Sequence, residues 1–377
     1  MYLTFARFPS SAAHSVNILK MCQSIKKKGC DLTLVADFRK NREDLFSIYS
    51  IKHTFALKSI KLSNIRFLGR IFFLIKAFFV VKKKIPHFFF TRDIFHTFFL
   101  RIFKKPIIFE VHEYPSSLIR KFITKKILKS PQLQRVVFIS EKLKNLYLTQ
   151  FPETQLSERW LVAHDGVDVE NFQLSLSPSK ARKSLHLPEN ACIAGYSGSL
   201  FEGRGGEVIL QTAQNLKEVF FLVVGGEGKY LNSFKEKVNF LHLQNLRVEG
   251  YVPHSKIPLY LKACNILLMP YQHKVLHRQK KHDTAFYMSP LKMFEYMASG
   301  KPIVASHLPV IEEVLQHRRN ALLVTPDETE AWIRAILELK KNIHWAENMG
   351  KQAQKDVQKY TWDKRAHIIF SKTREGP

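Results

Sequence analysis

The chain has 377 residues, of which 59 are Lys or Arg and 32 are Asp or Glu, leaving a formal net charge of +27. A composition 45% hydrophobic and 24% charged can bury enough apolar surface to offset ordering entropy, which excludes a disordered chain, and the length favours two domains because single cores seldom grow past roughly 250–300 residues. Cys22, Cys30, Cys192 and Cys264 show no CxxC spacing, so neither a disulfide framework nor a thiolate zinc site is expected and a reducing compartment is the default.

The opening segment MYLTFARFPSSAAHS lacks a charged leader before an apolar core, so no secretory signal is read. Strand-like runs are expected near Tyr2–Ala6, Asp31–Ala36, His87–Thr91, Ile107–Val111, Val136–Ile139 and Trp160–Ala163, with amphipathic segments between most of them. That alternation is the rhythm of a parallel α/β layer. The longest apolar stretch, Phe67 to Val81, is interrupted by Arg70 and Lys76 and falls short of the roughly twenty apolar residues of a spanning helix, so no transmembrane helix is expected.

This first half is also where charge collects. Residues 1–172 carry 30 basic and 13 acidic residues, and within 51–130 there are 18 basic and 3 acidic ones. Thirteen of the 30 phenylalanines lie between Phe67 and Phe109. Such a field attracts nucleic acid, anionic lipid or phosphorylated small molecules without choosing among them. Interleaving of Phe72, Phe73, Phe78 and Phe79 with Lys82-Lys83-Lys84 leads to the expectation of docking on an anionic membrane surface. The plainer reading makes many of these phenylalanines core and the lysines a solvated face.

A polar stretch from Leu174, LSLSPSKARKSLHLPEN, reads as a linker. The rhythm then restarts near Cys192–Tyr196, Val219–Val224, Leu246–Glu249, Ile266–Met269, Pro302–Ala305 and Ala321–Val324, and Trp345 to Lys372 should be helical. The expected division is therefore a first domain over 1–173, a linker over 174–189, a second domain over 190–344 and a helical crossover segment over 345–377.

In doubly wound sheets ligands sit beyond the carboxyl ends of strands, where helix N-termini offer free N–H groups to anions. The loop GSLFEGRGGEV from Gly198 has that placement, and its Arg204 would neutralise a diphosphate; it reads equally as a glycine-rich turn with a solvent-facing arginine. The loop GGEG, Gly225–Gly228, closes the next strand and is either a ligand contact or a tight turn. In SPLKMFEYMASGKPIVAS, Ser289 and Pro290 mark a helix start and Gly300 and Pro302 its end. Glu295 within that helix is a bidentate acceptor for vicinal hydroxyls or an exposed charge. His112, in IIFEVHEY beside Glu110 and Glu113, would hydrogen-bond a sugar hydroxyl or assist proton transfer, although an isolated histidine more commonly has a structural role. His273, His277 and His282 suggest a metal site, but the basic stretch around them favours an exposed loop.

Taken in order, FPSSAAHSVNILKMCQSIKKKGCDLTLV, IIFEVHE, VVFISEKLK, HDGVDVENF, AGYSGSLFEGRGG, FFLVVGGEG, VEGYVPHSKIPLYLKACNILLMPY, SPLKMFEYMASGKPIVAS and YTWDKRA resemble glycosyltransferase family 4, over nearly the whole chain. The resemblance implies an α/β chain of GT-B architecture, with two Rossmann-like doubly wound domains facing across a cleft and a C-terminal helix crossing back to the first. It implies a retaining glycosyltransferase of hexosyltransferase type that takes a UDP- or GDP-linked sugar as donor, with no cofactor and no metal required. By the same resemblance, His112, Arg204 and Lys292 are the catalytic positions. Ser199, Gly203, Arg204, Gly225, Gly226, Tyr251, Val252, Tyr287, Ser289, Pro290, Leu291, Lys292 and Glu295 line the donor site, with Arg204 on the diphosphate, Glu295 on the ribose and Tyr251 and Val252 beside the base. Three positions depart from the family pattern. Tyr287 stands where the first of two acids eight positions apart would be, Ser199 replaces a frequent basic residue, and Ser10-Ser11-Ala12-Ala13 replaces a glycine loop. Expected partners are the nucleotide sugar, a lipid-linked or membrane-proximal acceptor and an anionic membrane surface, with no nucleic acid. The expected setting is cytoplasmic and peripheral on the membrane, in cell-surface polysaccharide or glycolipid synthesis. The alternatives are a GT-B sugar-nucleotide epimerase or hydrolase, and a basic nucleic-acid-binding protein.

Overall fold

The computed structural model describes residues 1–62, 66–154, 159–276 and 283–371. The chain divides into two compact units, one formed by 1–165 together with the residues from Trp362 onward, the other by 166–361.

The first unit is a parallel sheet of β1 (Tyr2–Phe8), β2 (Thr33–Phe38), β3 (Ala56–Ser59), β4 (Phe89–Thr91), β5 (Ile107–Val111), β6 (Leu133–Phe138) and β7 (Trp160–Val162), in the order β3-β2-β1-β4-β5-β6-β7. Helices α1 (Ala13–Lys27), α2 (Arg42–Ile48), α3 (Arg66–Lys83), α4 (Ile94–Leu100), α5 (Leu118–Leu128) and α6 (Glu141–Gln150) make the crossovers. Four starts are fixed by side-chain caps, from Asn41, Asp93, Ser117 and Ser140, which satisfy amides that the first turn leaves unpaired. Strand β3 was not expected; it is four residues long, mostly exposed and at the sheet edge, so it carries no apolar run to announce it.

Central strand β5 is buried at all five positions, Glu110 included. Glu110 is matched from the far end of the chain, where Arg365 donates to its Oε1 at 2.5 Å and also donates to the His164 carbonyl at 2.9 Å. Burial alone would raise the Glu110 carboxyl, but Arg365, with His112 and Arg92, holds it far below the usual carboxylate range. Next to it, Asn17 donates to Asp165 at 2.6 Å and accepts from Arg92 at 3.1 Å.

The second unit is a parallel sheet in the order β10-β9-β8-β11-β12-β13. Helix α7 (Pro178–Ser184) precedes β8 (Cys192–Ser197), α8 (Gly206–Asn215), β9 (Val219–Val224), α9 (Gly228–Phe240), β10 (Leu246–Gly250), α10 (Ile257–Ala263) and β11 (Ile266–Met269). Then come α11 (Leu291–Ser299), β12 (Ile303–Ser306), β13 (Leu322–Val324), α12 (Thr329–Lys341) and α13 (Ile343–Asp356). Alternate strand residues serve opposite faces: Leu222, Leu267 and Ile303 enter one core, Phe221, Ile266 and Val304 the other, as the two-residue strand period requires.

Two expected boundaries shift. The stretch 174–189 is no free linker, because α7 is anchored by the buried Arg182, which donates to the Ala263 carbonyl at 2.9 Å and to Asn265, and Phe172, Ala181 and Leu187 join the second core. The crossover begins not at 345 but at α14 (Trp362–Phe370), since Met349, Ala353 and Val357 are buried in the cores of the second unit. Helix α14 packs on α1, where Asp363 accepts from Ser24 at 2.9 Å and pairs with Lys27. Among the described residues no helix is long and apolar enough to cross a membrane.

Burial pushes the Asp165 carboxyl up to about 7 from an ordinary 3.8, against the pull of Arg365. A carboxyl with a raised folded pKa binds its proton more tightly in the folded state, so it costs stability as pH rises from about 4 to about 7. Thermal melts at pH 5 and pH 8 should show the first unit losing stability at the higher pH, and the loss should shrink in Asp165→Asn. An identical pH response in the variant would exclude Asp165 as its source.

Candidate functional site

The site builds from α11 of the second unit. Pro290 sits at its N-cap and Gly300, at φ 69°, ends it in the left-handed region, as expected for a residue without Cβ. Lys292 and Glu295 are three apart and so share a helix face. Both are buried, at 8% and 9% exposure, which removes the reading of Glu295 as an exposed charge.

The Lys292 ammonium lies 3.8 Å from the ring centroid of Tyr196, at the end of β8, and 5.1 Å from that of Tyr271, just beyond β11. Arg204 reaches the same tyrosine: it donates to Tyr271 Oη at 2.9 Å, with Cζ 5.1 Å from the ring centroid. Two cations are thus gathered on aromatic faces. Arg204 Nε is buried without a hydrogen-bond partner among the described residues. Burial, and then the neighbouring Arg204 charge, pull the Lys292 pKa well below the ordinary lysine value, against the opposing effect of Glu295.

Backbone geometry permits this approach. A Cβ on Gly198 would stand 2.6 Å from Lys292 Nζ. Gly225, at φ +117°, backs the same loop so closely that a Cβ would lie 2.3 Å from the Gly198 carbonyl oxygen. The loop is tied down by Tyr196 Oη, which donates to the Ser199 carbonyl at 2.6 Å, and by Ser197 N, which donates to Tyr296 Oη at 2.7 Å.

Glu295 Oε1 is 2.7 Å from Nε2 of His254, in the turn after β10. Sequence reasoning missed His254, and no motif spacing could have found a partner 41 positions away. Of the other expected donor residues, Tyr287, Ser289 and Pro290 are buried beside the α11 start, while Ser199, Gly226, Val252 and Leu291 are half-buried and Tyr251 exposed. The Gly203 carbonyl accepts from Gln272 N at 2.9 Å, which ties the glycine loop to the segment after β11; this fastening accounts for Gly203 without a ligand.

His112 lies in the first unit, its Nε2 3.0 Å from Glu110 Oε1. Burial above all, then Arg92, lowers its pKa to about 4, so the imidazole is neutral at physiological pH and can exchange hydrogen bonds but brings no charge. His273 is exposed and 3.8 Å from Asp327, His277 and His282 lie outside the described residues, and no group among the described residues has the makings of a metal centre.

Comparison with known proteins bears on this arrangement. Residues 178–356 match the family model described as Glycosyl transferases group 1. A D-inositol 3-phosphate glycosyltransferase of Corynebacterium urealyticum is 23% identical over 234 residues, covering 58% of this chain and 52% of that protein. A putative teichuronic acid biosynthesis glycosyltransferase of Bacillus subtilis, TuaH, is 26% identical over 200 residues, covering 52% and 47%. The chain spans about half the length of the curated relatives it matches. Among solved structures, HepE of Anabaena, in complex with UDP and glucose, aligns with a TM-score of 0.77 at 16% identity over 100% of this chain and 99% of that one. The chain therefore has the GT-B fold of glycosyltransferases, and the match to the Glycosyl transferases group 1 model falls within its second unit.

Proposed function

We propose that this chain is a retaining family 4 glycosyltransferase that moves a hexosyl group from a nucleotide-diphosphate donor, UDP- or GDP-linked, to an acceptor hydroxyl. The acceptor would be lipid-linked or membrane-proximal, on the cytoplasmic face, in polysaccharide or glycolipid synthesis. The observation that carries the reading is the pair of cations, Arg204 and Lys292, held on tyrosine rings beside a buried carboxylate. HepE supports a uridine donor and TuaH a polysaccharide role, each by likeness.

On this reading the leaving diphosphate gains charge in the transition state and meets donors already in place. Arg204 contributes a guanidinium with an idle Nε–H, Lys292 an ammonium in the first turn of α11. Glu295, steadied at Oε1 by His254, leaves Oε2 for a ribose hydroxyl. Tyr251 and Val252 would flank the base. His112 would serve the acceptor side through a neutral hydrogen bond, and Tyr287 would meet the donor sugar where a carboxylate is otherwise expected.

Replacing Arg204 by Ala should weaken UDP or GDP binding by about 10- to 100-fold, the value of a charge-assisted contact of about 1.5–3 kcal/mol; unchanged affinity in a folded variant would make Arg204 a structural residue. Glu295→Gln should weaken the free nucleotide as well as the nucleotide sugar, whereas Tyr287→Phe should change sugar preference and leave free nucleotide binding nearly intact. Normal nucleotide binding by Glu295→Gln would remove the ribose assignment. A bound diphosphate favours the charged form of Lys292, whose pKa in the empty site is lowered. Binding therefore takes up a proton between the empty and loaded pKa values, and affinity falls as pH rises through that interval. Calorimetry in two buffers of different ionisation enthalpy should register that uptake in the native chain and lose it in Lys292→Met.

A further inference from the structure

We infer that the outer face of α3, α4 and α5 in the first unit is a docking surface for an anionic lipid bilayer, an inference that rests on the proposed membrane-proximal acceptor for its purpose. Helix α3 has two apolar stripes. One, Gly69, Phe73, Ala77 and Val81, is buried, and its three side chains join a core with Phe89, Leu100 and Ile107. The other, Leu68, Phe72, Ile75 and Phe79, stands in solvent, with Phe72 58% and Phe79 64% exposed. A helix apolar on both sides needs a partner on both sides, and among the described residues the second side has none in this unit.

The neighbouring helices continue the pattern. The Phe78 ring of α3 packs on Phe103, in the turn that extends α4, at 5.5 Å between centroids, and Arg120 of α5 lies over Phe95 of α4 at 6.0 Å. The row is therefore contiguous. Its exposed residues include Phe98 and Ile102 at the end of α4, and Leu118, Ile119 and Phe122 on α5, with Leu118 85% and Phe122 60% exposed.

Charge chooses the occupant. Every acid between 51 and 130 is engaged within the unit: Asp93 caps α4, Glu110 is buried against Arg365, and Glu113 binds Arg120 at 3.1 Å. Exposed Arg70, Lys76, Lys82, Lys83, Lys126 and Lys129 on and beside the same helices therefore face outward over protruding Leu, Ile and Phe. A nucleic acid could stack bases on the exposed rings of Phe72, Phe79, Phe98 and Phe122 but has no use for the protruding aliphatic Leu68, Ile75, Ile102, Leu118 and Ile119 among them, whereas an anionic interface accepts every component, heads with the lysines and acyl chains with the apolar tips.

The test is co-sedimentation of the full chain with phosphatidylglycerol and with phosphatidylcholine vesicles, at low and high salt, alongside UDP and GDP binding and size-exclusion chromatography. Binding to the anionic vesicles that weakens with salt is expected. Lys82 and Lys83 reversed to Glu, and separately Phe72→Ser with Phe79→Ser and Phe122→Ser, should each lower partition by roughly ten-fold or more, with nucleotide binding and melting temperature unchanged because these side chains are exposed. Equal recovery in the supernatant with both lipids, full binding by the serine variant, or a dimer of the native chain that the serine variant dissolves would each overturn the inference. Nucleotide binding is read on the same samples, so loss of docking and loss of the donor site are separately visible.

Discussion

Everything proposed for the second unit depends on two cations being kept close together with no carboxylate, among the described residues, to neutralise either at hydrogen-bond range. Tyrosine rings make this possible. An aromatic face attracts a cation but takes no proton from it and supplies no full negative charge, so Arg204 and Lys292 are positioned while their fields stay available. A carboxylate in the place of Tyr271 would hold them as firmly and cancel them. The cost falls on Lys292, whose charged form is disfavoured by burial and by Arg204; an arriving anion relieves both.

The first unit handles charge in the opposite way. The three acids between 51 and 130 are consumed internally, by a cap, by a buried pair and by a neighbouring arginine, and the lysines on the same helices are left to the surface. On the proposed reading the same chain makes one site that concentrates positive charge on a small ligand and one broad face that spreads it over an area. Net charge alone conceals this difference, because +27 is compatible with either arrangement.

Much of the architecture was legible because buried parallel strands are short apolar runs: Ile107–Val111 and Val219–Val224 are bounded in the structure as their composition suggests. The edge strand Ala56–Ser59 was not, since an exposed strand needs no apolar sequence. Helix α7 was hidden in a Ser- and Pro-bearing stretch that reads as linker, and only the fold reveals that Arg182 is bonded to residues about eighty positions away. In the site, Lys292 and Glu295 could be singled out from the punctuation around α11. The burial that decides Glu295, and its contact with His254, are long-range facts without local signature.

The bond between Glu110 and Arg365 joins residues 255 positions apart, and this has a temporal meaning during synthesis. At typical elongation rates of about 5–20 residues per second, the carboxylate of β5 emerges on the order of tens of seconds before its guanidinium exists. Throughout that interval the nascent first unit has only His112 and Arg92 to offset the burial of Glu110, without the largest of its stabilising charges, so its sheet is not yet as dry as in the finished fold. The second unit, whose residues 166–361 are contiguous, has no such wait: the half of the molecule translated later is the half that can finish folding first.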